Sequence, residues 1–542
     1  MKQIFIYLFL FLFCAITFTH AQESEMYRLY LTGKGNPPYS IEKPEEFLSQ
    51  KSIDRRLKQG FRVDETDLPI DPAYLDTLVK TGASIRAYSK WTNTIVVNIT
   101  DSEIQNKVVA LPFVKTMKKV WKGKLGENEK NERNENNENN ENNEVSFHSE
   151  DYGGMFTQIN INNALPLHEM GYKGAGITIA IIDAGFLNVD KVPDFLDLNK
   201  IIDTKNFTHQ SGNVYRFPEE HGTQVLSCIL ANNPGTMVGT APDAAFYLFK
   251  TEVKGEEYPV EEDYWVAGLE YADSLGVDIV STSLGYYLFD DSEMDHTWED
   301  LDGQTAPASR AAAMAASKGM VLFTAAGNEG NKAWQKTLIP GDARNTLTVG
   351  AINNDSTQAS FSSWGYIVDK RIKPDVMAMG SGCFLLSAAG YPTHSGGTSF
   401  STPILAGMGA CLWGALPGLT SYELIDLIKK SSDRWSHPDE YFGYGIPNIY
   451  EAYLNGKPDG IPAIQRAEPQ LLYVDSINHR LYFKSTPTDD TMNYLTIYSY
   501  DGKIIYKKYM SSDSIDIRFL PKGMYIAVIY SNNGPSFCKF LQ

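Results

Sequence analysis

Three short apolar runs, residues 178–182, 277–281 and 321–325, constrain this chain more than any other feature. They are rich in Ile, Val and Leu and do not alternate with polar residues. Such runs read as strands buried on both faces, the condition of a parallel sheet covered by helices. Helical patterns follow at 224–231, 260–275, 308–318 and 402–414. Strand and helix alternating over 151–455 predict an α/β architecture on a doubly wound, mostly parallel sheet. Ligands of such sheets gather outside the carboxyl ends of the strands. Asp183 and the segment 325–328 fall at two of those ends.

A length of 542 residues exceeds one ordinary core and implies further domains and linkers. Residues 1–21 have the form of a secretory signal peptide: Lys2, an apolar run from Ile4 to Phe18, and Thr19, His20 and Ala21 as a small-residue cleavage site. The run is short for a bilayer span, so removal near Gln22 and export are expected, with no transmembrane segment left afterwards. Residues 22–125 read as a small α+β domain with strands at 27–31 and 94–99. Its helices are expected at 45–59 and 72–81, the second opened by Asp71 and Pro72.

The stretch 126–150 is a linker. Residues 126–144 are almost entirely Asn and Glu and cannot bury enough apolar surface to offset the ordering of their backbone. A second linker at 456–468 leads to a β-rich region, 469–542. There, alternating runs at 495–500 and 504–506 flank Asp501, Gly502 and Lys503, a hairpin signal.

Of the formal charge of −18, residues 126–144 carry −5, from seven Glu against one Lys and one Arg. The acidic remainder argues against nucleic acid and anionic membrane as partners. Cys14 leaves with the signal segment. Cys228, Cys383, Cys411 and Cys538 show neither paired nor metal-ligand spacing, and no disulfide framework follows from them.

Four polar residues carry the chemistry. Asp183 ends an apolar run, His221 opens a helical pattern, Asn328 follows Ala325, Ala326 and Gly327, and Ser399 follows Gly396, Gly397 and Thr398. A serine hydroxyl attacks an acyl group well only when an imidazole accepts its proton, and the imidazole needs a carboxylate to fix its tautomer and stabilise its charged form. Ser399 is therefore the candidate nucleophile, His221 the general base and then acid, and Asp183 the orienting carboxylate. Asn328 is the candidate oxyanion donor beside the backbone N–H of Ser399. The first three lie 38 and 178 residues apart, so only a tertiary fold can assemble them. Pro403 places Ser399 near the start of its helix, where free N–H groups favour negative charge.

In their order and with their neighbours, these segments resemble those of the subtilisin-like serine peptidases, the subtilases. The resemblance covers about 151–455 and implies a secreted serine endopeptidase acting through an acyl-enzyme. It implies that residues 22–125 are a propeptide that assists folding and blocks the site. Departures are Ala184, where Ser or Thr is usual, Phe400 and Ser401, where Met and Ala are usual, and Met379, where Pro is common. Ser283, Leu284 and Gly285 on one side, and Ala325, Ala326 and Gly327 on the other, should line the pocket for the residue before the cleaved bond. Leu338 stands where many relatives have glycine, which implies a shallow pocket for small or medium apolar side chains.

The C-terminal region resembles the sorting tails of the type IX secretion system in its hairpin spacing, Gly523 and Tyr525, and short basic-apolar end, which would make that machinery a partner. Relatives often bind structural calcium, but the acidic stretch 290–295 lacks calcium-loop spacing and reads as a solvated insertion. The chemistry needs no cofactor, and a monomer is expected. A dinucleotide site at 171–176 is a weak reading, because that glycine-rich segment precedes its strand and a phosphate-binding loop must follow one. The rival reading is a catalytically inactive subtilase fold serving as a surface binding module.

Overall fold

The computed structural model describes residues 23–125, 151–457, 472–475, 479–483, 493–499, 503–510, 514–531 and 534–542. The expected signal segment 1–21, the linker 126–150, most of the linker 456–468 and the turn residues Asp501 and Gly502 lie outside the described residues. Two compact units make up the chain, Met1–Lys457 and Pro458–Gln542.

The N-terminal domain carries strands β1 Glu23–Leu31, β2 Ser84–Ser89, β3 Thr94–Ile99 and β4 Val114–Lys124 in one sheet of order β2-β3-β1-β4, every pairing antiparallel. Helices α1 Gln50–Gln59, α2 Pro72–Lys80 and α3 Ser102–Val109 complete it. Asp71 caps α2 by accepting from the Ala73 N–H, as its position before Pro72 predicts. The helix expected at 45–59 is instead a 3-10 turn at Pro44–Glu46 and then α1. Ser49 separates them: extended, it caps α1 through the Ser52 N–H.

The second domain is built on seven strands: β5 Thr178–Asp183, β6 Ile201–Asn206, β7 Ala245–Lys250, β8 Ile279–Thr282, β9 Val321–Ala325, β10 Leu347–Ile352 and β11 Val376–Met379. Their order is β11-β10-β9-β8-β5-β7-β6, and every pairing is parallel. The chain fills one side of β5 with β7 and then crosses to place β8 on the other, so β5 is the switch point of the sheet. Both faces are covered. Ile179 and Ile181 pack into a core with helices α4 His221–Leu230 and α7 Thr398–Ala415, while Ala180 and Ile182 pack into another with α5 Val260–Leu275 and α6 Pro307–Ser317. The apolar runs expected to be buried parallel strands are so.

The N-terminal domain docks on the ends of α5 and α6 through α1. Arg55 donates to the carbonyls of Val277 and Lys318, Gln59 to that of Gly319 at 2.8 Å, and the Ser49 N–H to that of Ser274 at 2.9 Å. The last carbonyls of a helix lack intrahelical donors, so α1 completes two helix ends it does not belong to. Arg55 and Arg56 converge on buried Asp273, and Lys318 reaches back to Asp67 at 3.0 Å. Burial alone would raise the Asp273 carboxyl, but Arg56 and Arg55 hold it below its usual value. Removing one partner from such a buried network strands the others. Asp273→Ala is therefore expected to destabilise the unprocessed chain by roughly 3–5 kcal/mol, read as a lower urea midpoint than that of the parent.

The second unit is antiparallel. Strands β14 Leu472–Asp475, β15 Arg480–Phe483 and β18 Ser514–Asp516 form one sheet; β16 Asn493–Ser499, β17 Ile504–Met510, β19 Met524–Ser531 and β20 Gly534–Leu541 form another, ordered β17-β16-β19-β20. Strands β12 Cys383–Leu386 and β13 Pro392–Ser395 form an antiparallel hairpin before α7. The pairing of β16 with β17 is the expected hairpin. Tyr525 bonds the Pro521 carbonyl at 2.8 Å and stacks on Phe540.

Candidate active site

Asp183 is the last residue of β5 and is fully buried at the switch point. His221 is the first residue of α4, whose Val225, Leu226, Ile229 and Leu230 anchor it in the core. A glycine brings the two together: a Cβ at Gly222 would lie 2.3 Å from the Gly185 carbonyl, so only a residue without a side chain lets this turn rest on the exit of β5. Nδ1 of His221 then stands 2.7 Å from Oδ1 of Asp183. The Ala184 N–H donates to the same oxygen at 2.8 Å, while Oδ2 has no hydrogen-bond partner among the described residues. Ala184, where relatives usually carry Ser or Thr, offers this carboxylate a backbone donor but no side-chain hydroxyl.

Ser399 is the second residue of α7. The next residue, Phe400, packs its ring 6.0 Å from the His221 imidazole, which sets the histidine beside the first turn of α7. Asn328 follows β9, and its Oδ1 accepts from the Thr398 N–H at 2.9 Å and from Thr398 Oγ1 at 3.0 Å. With the oxygen so held, Nδ2 is the amide's free end. A Cβ at Gly397 would come 3.4 Å from it, so the turn before Ser399 runs directly beside this amide. Thr398 was missed as a functional residue: its hydroxyl also accepts from the Gly327 N–H at 3.1 Å and ties the asparagine loop to the nucleophile helix. Only its position before Ser399 could have drawn attention to it.

The pocket residues divide by role. Ala326 donates to Val349 and accepts from Leu338, and Gly327 donates to Thr398 and accepts from Ser363, so this side is braced within the protein and contributes a wall. Ala325 lies in β9 and is buried. Leu284 and Gly285 lie half-buried between β8 and the bridge of Tyr286 to Ile339. Leu338 sits between the two walls. A Cβ at Gly285 would come 2.6 Å from its Cβ, and one at Gly327 would come 2.6 Å from its Cγ. Ser283 Oγ is occupied elsewhere, donating to the Ser399 carbonyl at 2.7 Å.

Glu252, also missed, lies just beyond β7 and accepts from Tyr286 Oη at 2.8 Å and Thr251 Oγ1 at 2.9 Å. Burial, with the charge of Asp183 adding to it, pushes its carboxyl up to about 7. In the acidic stretch, Asp290 accepts from the Glu257 N–H, Asp291 pairs with Lys122, and Asp295 accepts from the Phe289 N–H. Among the described residues no group of three or more His, Cys, Asp or Glu could hold a metal ion, and Cys228, Cys383 and Cys411 are buried free thiols.

Residues 174–445 match the model of the subtilase family, and this span is half of the chain. The chain belongs to the subtilase family. Its enzyme class is serine-type endopeptidase. Residues 26–140 match the peptidase S8 propeptide domain of Bacteroidota, so the N-terminal domain is a subtilase propeptide. The subtilisin of Bacillus pumilus is 31% identical over 288 residues, 53% of this chain and 94% of that protein. Subtilisin E of Bacillus subtilis (strain 168) is 30% identical over 288 residues, 53% of this chain and 68% of that protein. Serine protease AprX of the same organism is 30% identical over 321 residues, covering 53% and 67%.

Proposed function

We propose that this subtilase is a secreted endopeptidase that cleaves peptide bonds through Asp183, His221 and Ser399. The observation that carries the reading is the 2.7 Å bond from a buried carboxylate to Nδ1 of a histidine held beside the helix start that bears the serine. With Nδ1–H donating to Asp183, Nε2 is the proton acceptor. Ser399 Oγ attacks the substrate carbonyl and gives its proton to Nε2. The oxyanion is met by Asn328 Nδ2 and the Ser399 N–H, aimed in advance at the charge that develops. Nε2 then protonates the leaving amine, the acyl-enzyme forms, and water reverses the steps to release the acid and restore the serine. No cofactor takes part.

This arrangement favours the enzyme over an inactive binding module. Fluorophosphonate treatment followed by peptide mapping tests it: the adduct is expected on Ser399, and a folded, processed chain that takes up no label would overturn the reading.

Leu338 between Gly285 and Gly327 supports a shallow pocket for small or medium apolar residues, with the substrate backbone laid along 283–285 as an added strand. Leu338→Gly is expected to raise kcat/KM for Phe before the cleaved bond by about 10- to 100-fold relative to Ala, the scale of discrimination by a few methylenes. A peptide panel in which the parent already prefers Phe would reject the shallow pocket.

The signal segment supports export, and the Asn/Glu tract supports processing between propeptide and protease. The paired C-terminal sheets and the short basic-apolar end support a sorting role for 469–542, with type IX secretion machinery as partner; unchanged export after deleting that region would remove the idea. The working form is proposed to be a monomer acting on proteins or peptides.

A further inference from the structure

Pro403 is the sixth residue of α7, in its second turn. Proline has no N–H, so the regular bond from residue 403 to the Ser399 carbonyl cannot form. The neighbouring strand supplies a donor. Ser283 follows β8 directly and is 6% exposed, and its Oγ donates to the Ser399 carbonyl at 2.7 Å. In return, Ser399 Oγ donates to the Ser283 carbonyl at 3.3 Å. The strand end is itself fixed, because Trp265 Nε1 donates to Thr282 Oγ1 at 2.9 Å in the buried layer beneath.

We infer that Ser283 is a positioning residue for the nucleophile: its hydroxyl replaces the amide that Pro403 lacks and holds the backbone of Ser399 in register with the oxyanion site. The inference rests on Ser399 being the nucleophile. Its physical content is narrow. The Ser399 N–H and the Ser399 side chain belong to the residue whose carbonyl Ser283 holds, so one contact sets both the oxyanion donor and the attacking oxygen. Its loss lets both drift relative to Asn328, and a misplacement of about 1 Å can cost on the order of 100-fold in rate. Meanwhile the 3.3 Å bond from Ser399 Oγ gives the resting hydroxyl a defined direction.

The test is a cycle. Ser283→Ala is expected to lower kcat by about 10- to 100-fold, with KM within about threefold of the parent, and to slow fluorophosphonate labelling of Ser399 by the same factor. Adding Pro403→Ala to that variant supplies an N–H at 403 that can bond the Ser399 carbonyl as in any helix. The double variant should recover most of the lost kcat and labelling rate. Ser283→Ala with kcat unchanged would overturn the inference. So would a loss that the double variant does not recover while its thermal midpoint matches that of the parent. Parent protein that takes no label at Ser399 would instead bring down the catalytic reading itself, so the two failures are told apart.

Discussion

Ser399→Ala is expected to lower kcat by on the order of 10⁶-fold, the size seen when the triad serine or histidine is removed from subtilisin. The fold should survive, because Ser399 lies at the mouth of α7 while the helix is anchored by Ile404, Leu405, Met408 and Leu412 in the main core. What remains of catalysis would come from Asn328 and the backbone donor stabilising the oxyanion formed as water attacks the substrate carbonyl. In the proposed triad the three residues act as a unit, so adding His221→Ala should cost little more; a further large drop would mean that His221 works apart from Ser399. Intact mass gives a second readout. If the chain processes itself, the variant keeps the propeptide region that the parent loses. Equal loss in both would assign the cut to another protease, leaving the kinetic prediction standing.

Much of this was legible beforehand, for reasons that differ by residue. Asp183, His221 and Asn328 could be placed because each sits where a strong local pattern breaks: the end of an unbroken apolar run, the head of an amphipathic helix, the loop after a buried strand. Three-dimensional placement was needed wherever the partner is remote and its residue type is common. Ser283 was read as a pocket residue, yet its hydroxyl serves a carbonyl 116 residues away because a proline has removed the ordinary donor. Thr398 looked like a spacer and proves to orient Asn328. The break of the helix expected at 45–59 turned on Ser49, whose capping oxygen outweighs the helical tendency of its neighbours. The docking of α1 on α5 and α6 left no trace in any short window. Arg55 and Arg56 resemble ordinary surface charges until Asp273 and Asp67 are brought against them.

The departure at Ala184 bears on Asp183, the proposed triad acid. Asp183→Ala removes both the orientation and the counter-charge of His221 and is expected to lower kcat by on the order of 10⁴-fold. In the chymotrypsin-type triad an asparagine at this position costs about 10⁴-fold, because its amide forces the wrong imidazole tautomer. Here the Ala184 N–H and His221 Nδ1 both meet Oδ1, and Oδ2 has no partner among the described residues. Asp183→Asn can therefore place its oxygen at the Oδ1 position, where two donors select it, and its amide where the unpartnered oxygen was. The tautomer is then preserved and only the charge is lost. A charge pair at about 4 Å in surroundings of effective dielectric near 20 contributes about 4 kcal/mol, or about 10³-fold in rate. Asp183→Asn should thus lose about tenfold less than Asp183→Ala. Adding Ala184→Ser leaves both donors to the Oδ1 position in place and should keep that advantage. Equal kcat values for the Asn and Ala variants would show that the second carboxylate oxygen is satisfied in solution and that Asp183 holds His221 through both of its oxygens.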